Sequence, residues 1–215
     1  FRKLYLKEDG SFYRFGEIQK NQEIADLLEN IAEQGVDYFY KGKVAKQIVD
    51  LINDRGGCFD VSDMESYEPK FREPVKTTYR GYEVAAFAPP SGGCALVEML
   101  NILENYDVRS MGHNTAASIH ALTESMKLGF ADRSVALGDP DFVNVDVERL
   151  TSKKFAHERF TLAGEKAGEF ASADGIEAKQ YPGNTSHFVV MDKDGNAFSQ
   201  TQTIRDWFGC GIVVD

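Results

Sequence analysis

Gly183-Asn184-Thr185-Ser186-His187-Phe188-Val189-Val190-Met191-Asp192-Lys193-Asp194-Gly195-Asn196-Ala197-Phe198-Ser199 is the stretch whose reading decides the fold. A turn-prone Gly-Asn pair precedes a hydroxyl residue, and the apolar run 188–191 then reads as a buried strand. Asp194-Gly195 is a strong hairpin-turn signal, so 197–203 is predicted as the return strand. A Thr in this position is suited to becoming a new N-terminus at the mouth of a sheet. Its hydroxyl is then a nucleophile, and the freed α-amine, which titrates near neutrality, is the base. Taken alone, a Thr before a strand is most often only that. Asp192-x-Asp194-Gly195-Asn196 hints at a calcium loop, but Ala197 and Thr203 stand where an EF-hand needs Gly and an acid, so turn chemistry is the better reading.

Outward from the hairpin, helices are predicted to dominate. Ile24, Leu27, Leu28, Ile31 and Ala32 recur at helical spacing, and Gly35 would stop that helix. Val44, Ala45, Ile48, Val49, Leu51 and Ile52 form a second stripe that ends near Gly56-Gly57. Ser62 and Glu65 have capping-box spacing for a short helix. Residues 76–79 and 82–87 read as strands around Arg80-Gly81. Pro89-Pro90-Ser91-Gly92-Gly93 lacks the P-loop Lys and the Rossmann glycine spacing, so it reads as a tight strand-to-helix turn. Helical patterns cover 93–104, 116–135 and 151–162. Residues 164–183 carry Ala, Gly, Glu, Lys and Ser with few large apolar side chains and read as a mobile loop or linker directly before Thr185. His113, His120 and His157 are expected at surface or satisfied positions, while His187 should share a strand face with Thr185. Asp132-Arg133 and Asp139-x-Asp141 read as structural ion pairs and caps.

The 215 residues are 42% hydrophobic and 12% aromatic, enough for the core of one substantial domain. Net charge is −10, from 24 basic and 34 acidic residues, without a basic patch. That balance argues against nucleic acid or an anionic membrane surface as partner. No apolar run is long enough for a membrane-spanning helix. Cys58, Cys94 and Cys210 show no metal-ligand spacing, so neither a zinc site nor a disulfide framework is expected. The chain opens on Phe1 and is read as an internal portion of a longer protein, which leaves its compartment open.

Several motifs together resemble the γ-glutamyltranspeptidase family. Thr185, His187, the Asp192-Lys193-Asp194-Gly195-Asn196 turn and Phe208-Gly209-Cys210-Gly211-Ile212-Val213 match the start of its small subunit. Upstream, residues 28–49 around Phe39-Tyr40-Lys41-Gly42, the Tyr79-Arg80-Gly81-Tyr82-Glu83-Val84 segment, Pro89-Pro90-Ser91-Gly92-Gly93 and Asn101-Ile102-Leu103-Glu104-Asn105-Tyr106-Asp107 match its large subunit in order. Ala131-Asp132-Arg133-Ser134 and Leu137-Gly138-Asp139-Pro140-Asp141-Phe142-Val143 extend the match.

The resemblance implies an α/β fold, the αββα sandwich of N-terminal-nucleophile hydrolases, present here in part. Residues 1–163 would be a large-subunit segment, 164–184 the linker and 185–215 the start of the small catalytic subunit, within a single domain. It further implies that the precursor cleaves its own Asn184–Thr185 bond. Thr185 would then attack a γ-glutamyl amide, and water or an amine would resolve the ester. A helper hydroxyl in the family falls eighteen positions on, which is Thr203 here. Arg205 and Asp206 are candidate substrate-binding residues, but Arg205 stands where transpeptidases carry Asn. A guanidinium repels an α-ammonium and favours carboxylates, which leaves open a glutaryl- or cephalosporin-type acylase, a poly-γ-glutamate depolymerase, or a non-catalytic relative that keeps the fold. The family's oxyanion-hole glycines and carboxylate-gripping Arg lie outside this sequence. No cofactor and no metal are implied. The expected partners are a small γ-glutamyl or acyl amide and the chain's own large and small subunits, with homo-oligomerisation open.

Overall fold

The computed structural model describes residues 2–172, 184–205 and 208–214. They form two compact units, one of Phe1–Pro69 with Pro182–Asp215 and one of Lys70–Tyr181. The first holds helices α1 (Arg2–Tyr5), α2 (Gln22–Gln34), α3 (Asp37–Tyr40), α4 (Lys43–Asp54) and α5 (Val61–Glu65), together with the later hairpin β3 (Asn184–Met191) and β4 (Ala197–Arg205). The second holds hairpin β1 (Val75–Tyr79) and β2 (Tyr82–Ala86), then α6 (Gly93–Leu103), α7 (Val108–Met111), α8 (Ala116–Ala136), α9 (Val147–Thr151) and α10 (Lys153–Phe160).

In the first unit, α2 begins where the Asn21 side chain accepts from the Ile24 amide at 3.1 Å and stops at Gly35, whose φ of 83° few other residues tolerate. The apolar stripe of α4 buries Ala45 and Val49 against Met64 of α5, with Phe39, Tyr40 and Phe59 closing the cluster. Asn53 fastens the connection by donating to the Phe59 carbonyl at 2.7 Å and accepting from its amide at 2.9 Å. The capping box of α5 belongs to Asp60 and Asp63, not to Ser62 and Glu65. Asp60 still has extended backbone (φ −114°, ψ 155°), so it occupies the cap position, and Ser62 already lies in the first turn.

In the second unit, α6 is buried along most of its length and carries the core. Cys94 and Val97 pack with Val75 of β1, while Ile102 packs with Leu128 of α8 and Ala156 of α10. Gly129 lets α6 and α8 approach, because a Cβ there would lie 2.6 Å from the Met99 side chain. Gly93 does the same for the strand-to-helix turn, where a Cβ would lie 1.9 Å from the Phe87 carbonyl oxygen. The Asn101–Asp107 motif is explained by pairings across this unit. Asn101 accepts from the Thr77 hydroxyl at 2.8 Å and donates to the Thr151 carbonyl at 2.8 Å, which joins β1, α6 and α9. Glu104 accepts from the Arg80 amide in the β1–β2 turn at 2.7 Å, and Asp107 caps α7. Arg72 pairs with Asp141 at 3.0 Å and with Asp139 at 3.4 Å. Cys58, Cys94 and Cys210 are all free thiols. Among the described residues, no helix is long and apolar enough to cross a membrane.

Candidate active site

The β3–β4 hairpin is set by its turn. The Asp192 carboxylate accepts from the amides of Asp194 and Asn196, each at 2.9 Å, and from the Asn196 side chain at 2.8 Å. These bonds, led by those from Asn196, hold the Asp192 carboxyl below its ordinary range. Gly195 takes the left-handed conformation at φ 85°. The turn therefore uses the acids and amides that hinted at a cation loop, and no metal-binding cluster occurs among the described residues.

From that turn the ladder runs antiparallel. Met191 pairs with Ala197, Val189 with Ser199, His187 with Thr201 and Ser186 with Gln202. The register then shifts, and Asn184 pairs with Arg205. One residue of β3, Thr185, thus stands opposite two of β4, Thr203 and Ile204. This is a β-bulge, a device that re-aims side chains and raises the local twist. Asn184 and Thr185, the two sides of the expected scissile bond, lie in the first two positions of β3. Arg205 is the last residue of β4 and sits across from Asn184. Asp206 lies outside the described residues.

His187 bridges the strands. Its Nδ1 lies 2.8 Å from the Thr201 hydroxyl, and its Nε2 lies 3.4 Å from the Ser199 hydroxyl. Ser199, Thr201 and Thr203 follow one another at alternate positions, so they line one face of β4. The sequence reading singled out Thr203 and missed the other two. Their signal was the alternation of hydroxyl residues opposite a histidine. The apolar run 188–191, expected as buried, is exposed together with Phe198. The hairpin is a sheet of two strands, and these residues alternate between its two faces, so among the described residues neither face has a packing layer over the run. Beyond β4 the chain turns sharply, with Phe208 at φ 61° and Gly211 donating to the Phe208 carbonyl at 3.0 Å. The Phe208 ring meets Tyr5 edge to face at 4.9 Å.

The residues before the expected cleavage point differ from their sequence reading. Residues 164–172, predicted as part of a loose linker, are fixed to α8 and α10. His120 Nε2 lies 2.8 Å from the Gly164 carbonyl oxygen. Glu124 accepts from the Gly168 amide at 2.9 Å and from Lys127 at 2.7 Å. Arg159 donates to the Ala171 carbonyl at 2.8 Å, and Ser172 is buried. Composition hid this, because His120 and Glu124 sit on α8, 44 residues away in sequence from the groups they hold.

The whole chain, residues 1–215, matches the family model for γ-glutamyltranspeptidase. The chain belongs to that family. It is 39% identical over 217 residues to a glutathione hydrolase proenzyme of Escherichia coli (strain K12), covering 98% of this chain and 37% of that protein. It is also 39% identical over 191 residues to the acylase ACY 1 proenzyme of Pseudomonas sp. (strain SE83), covering 88% of this chain and 34% of that one. The chain therefore spans little more than a third of these relatives. Among solved structures, it superposes on cephalosporin acylase from Bacillus halodurans with a TM-score of 0.80 at 31% identity, over 96% of this chain and 36% of that one. It superposes on γ-glutamyltranspeptidase from Helicobacter pylori with a TM-score of 0.70 at 34% identity, over 82% and 50%. The mixed α/β arrangement of helices and two hairpins is thus that of a piece of this enzyme family.

Proposed function

We propose that the chain is the central portion of an autoprocessing amidohydrolase with the αββα sandwich, cleaved between Asn184 and Thr185 and acting on γ-glutamyl amides of the glutathione type. In this reading the Thr185 hydroxyl oxygen attacks the Asn184 carbonyl carbon. The peptide C–N bond breaks, nitrogen gains the proton, and an ester remains. Water hydrolyses that ester, which leaves a carboxylate on Asn184 and a free α-amine on Thr185. The large subunit then ends at residue 184 and the small subunit starts at 185. During turnover the amine takes the proton of the Thr185 hydroxyl as it attacks the substrate amide. The proton passes to the leaving amine, and water or an acceptor amine resolves the acyl ester. Thr203 is assigned to steady the Thr185 amine and hydroxyl, while Arg205 and Asp206 are assigned to the acyl donor.

The observation that carries the reading is the bulge that sets Thr185 opposite Thr203 and Ile204 at the open end of a hairpin. A bulge next to the first strand residue gives that residue an aim that a regular ladder would not. The test is expression of the full-length protein with and without Thr185→Ala, read by intact mass and N-terminal sequencing. Wild type should give two chains, the smaller beginning Thr-Ser-His. The variant should stay whole. A single stable chain from wild-type protein would refute the proposal.

A second reading, an acylase for glutaryl-type side chains, is favoured by one residue. Arg205 closes β4 where the transpeptidase pattern has Asn, and a guanidinium suits a carboxylate better than an α-ammonium.

A further inference from the structure

We propose that Glu98, Asp132 and Arg159 form a proton-controlled latch inside the Lys70–Tyr181 unit. While Glu98 keeps its proton, Arg159 holds the Ala171 carbonyl. When that proton leaves, the guanidinium turns to Glu98 and residues 170–172 are released from the core. The latch lies wholly within this one unit and is independent of the self-cleavage reading.

Three ionisable side chains from three helices meet in the core. Glu98 of α6, Asp132 of α8 and Arg159 of α10 are all buried. Arg159 divides its donors between two partners. Its Nε lies 2.6 Å from an Asp132 carboxylate oxygen, and its Nη2 donates to the Ala171 carbonyl at 2.8 Å. Two carboxylates in contact with one guanidinium cannot both be charged out of water, so one of them keeps a proton. Glu98 is that one, because it hydrogen-bonds to Asp132 while Asp132 has the ion pair. Its Oε1 is left as a buried acceptor with no hydrogen-bond partner among the described residues. The charges acting on Glu98 come from Asp132, from Arg159 and, least of the three, from Arg149 of α9; among the described residues none comes from β1 or β2. One turn earlier on α6, burial and Glu98 together push the Cys94 thiol up, so it stays neutral beside the cluster.

Losing the proton changes what Arg159 faces. Oε1 then belongs to a buried carboxylate, which is far more costly to leave unpaired than a backbone carbonyl. A guanidinium bond with charge on both sides also outweighs one to a neutral carbonyl. Residues 170–172 are the part that yields. They lie outside any helix or strand, whereas α6, α8 and α10 are joined through Ile102, Leu128 and Ala156. Phe170 packs on that cluster and Ser172 is buried, so their release is a local opening of the core's edge. The latched state keeps the Glu98 proton up to about pH 9. In the released state Glu98 pairs with Arg159 and gives the proton up at lower pH. Release therefore becomes easier by up to about tenfold per pH unit between those two values, and levels off above the higher one.

The experiment uses the full-length protein as wild type, Glu98→Gln and Asp132→Asn, with amide hydrogen exchange of residues 168–172 followed from about pH 6 to about pH 10. Each rate is divided by that of Glu98→Gln at the same pH, so the base catalysis of exchange itself cancels. The wild-type ratio should start near 1, rise by about tenfold or more up to about pH 9 and then level off, while amides of α6 and α8 keep a constant ratio. Asp132→Asn removes the competing acid and leaves Glu98 as the carboxylate for Arg159, so its residues 168–172 should exchange fast already at neutral pH. Should that variant not fold, infrared spectroscopy of wild type against Glu98→Gln tests the latch without it. The band of a neutral carboxyl should be present in wild type at neutral pH, absent from the variant, and lost over the same pH range as the exchange rises. A flat wild-type ratio, slow exchange in folded Asp132→Asn or a missing infrared band would overturn the latch. So would α6 and α8 amides rising in step with 168–172, because the unit would then be unfolding as a whole.

Discussion

Replacing Glu98 by Gln should make the Lys70–Tyr181 unit less sensitive to alkali. Glu98 lies on α6 and is 1% exposed, and its Oε1 has no hydrogen-bond partner among the described residues. Burial pushes its carboxyl up to about 9, with help from a hydrogen bond and the negative charge of Asp132; the cations of Arg159 and Arg149 oppose the shift. Glu98 is therefore a neutral acid at pH 7. The folded pKa lies above the unfolded one, so the native state holds one proton more than the unfolded chain between roughly pH 4.5 and 9. The stability this group contributes is complete below the unfolded value and is lost as pH rises towards the folded one.

Each pH unit inside that window costs about 1.4 kcal/mol, so pH 5 to pH 8 gives a ceiling of about 4 kcal/mol. Water entry and local opening relieve part of such penalties, and about 2 kcal/mol is the working expectation. Gln keeps the shape and a donor towards Asp132 but cannot ionise. Thermal unfolding of wild type and Glu98→Gln at pH 5 and pH 8 isolates the term, since every other titration is common to both. The variant's Tm advantage should be about 8 °C larger at pH 8 than at pH 5, taking about 4 °C per kcal/mol for a unit of this size. Equal Tm differences at the two pH values would show that Glu98 is ionised in the native state and that the reasoning is wrong.

Two predictions concern the proposed chemistry. Thr203→Ala should preserve the fold and slow both processing and turnover by about five- to a hundredfold, the equivalent of about 1–3 kcal/mol for a hydrogen bond to the reacting amine; wild-type rates from that variant would remove Thr203 from the site. Arg205→Asn should shift donor preference from glutaryl- towards γ-glutamyl-p-nitroanilide, because a guanidinium repels an α-ammonium and attracts a carboxylate. An unchanged ratio of kcat/KM values would place Arg205 outside the donor pocket and weaken the acylase reading.

What was legible in the sequence is what short-range chemistry decides. Asp194-Gly195 gives one turn, Arg80-Gly81 another, and Gly35 ends a helix because only a left-handed residue fits there. The apolar run 188–191 announced a strand and said nothing of what would cover it. Burial depends on a second layer, and periodicity records only which residues share a face. The capping box moved from Ser62 to Asp60 for a related reason, since two acceptors near a helix start both satisfy the pattern and the backbone conformation selects one.

The site divides along the same line. Thr203 was singled out by the family's eighteen-residue spacing from Thr185, and strand alternation allows the two to face each other across the hairpin. Spacing could not show the bulge, which makes Ile204 share that place and brings Arg205 across from Asn184. The hold on residues 164–172 lies further beyond reach. Gly168 and Ala171 look like linker residues because their partners, Glu124 and Arg159, sit on helices whose faces meet only once the core of Ile102, Leu128 and Ala156 has formed. Asp132 and Arg159 illustrate the limit. The sequence reading set Asp132 with its neighbour Arg133 as a structural ion pair, whereas a buried carboxylate needs a partner that is buried with it. Adjacent residues on a helix point about 100° apart, so Arg133 turns outward and the buried ion pair goes to the residue that α10 delivers.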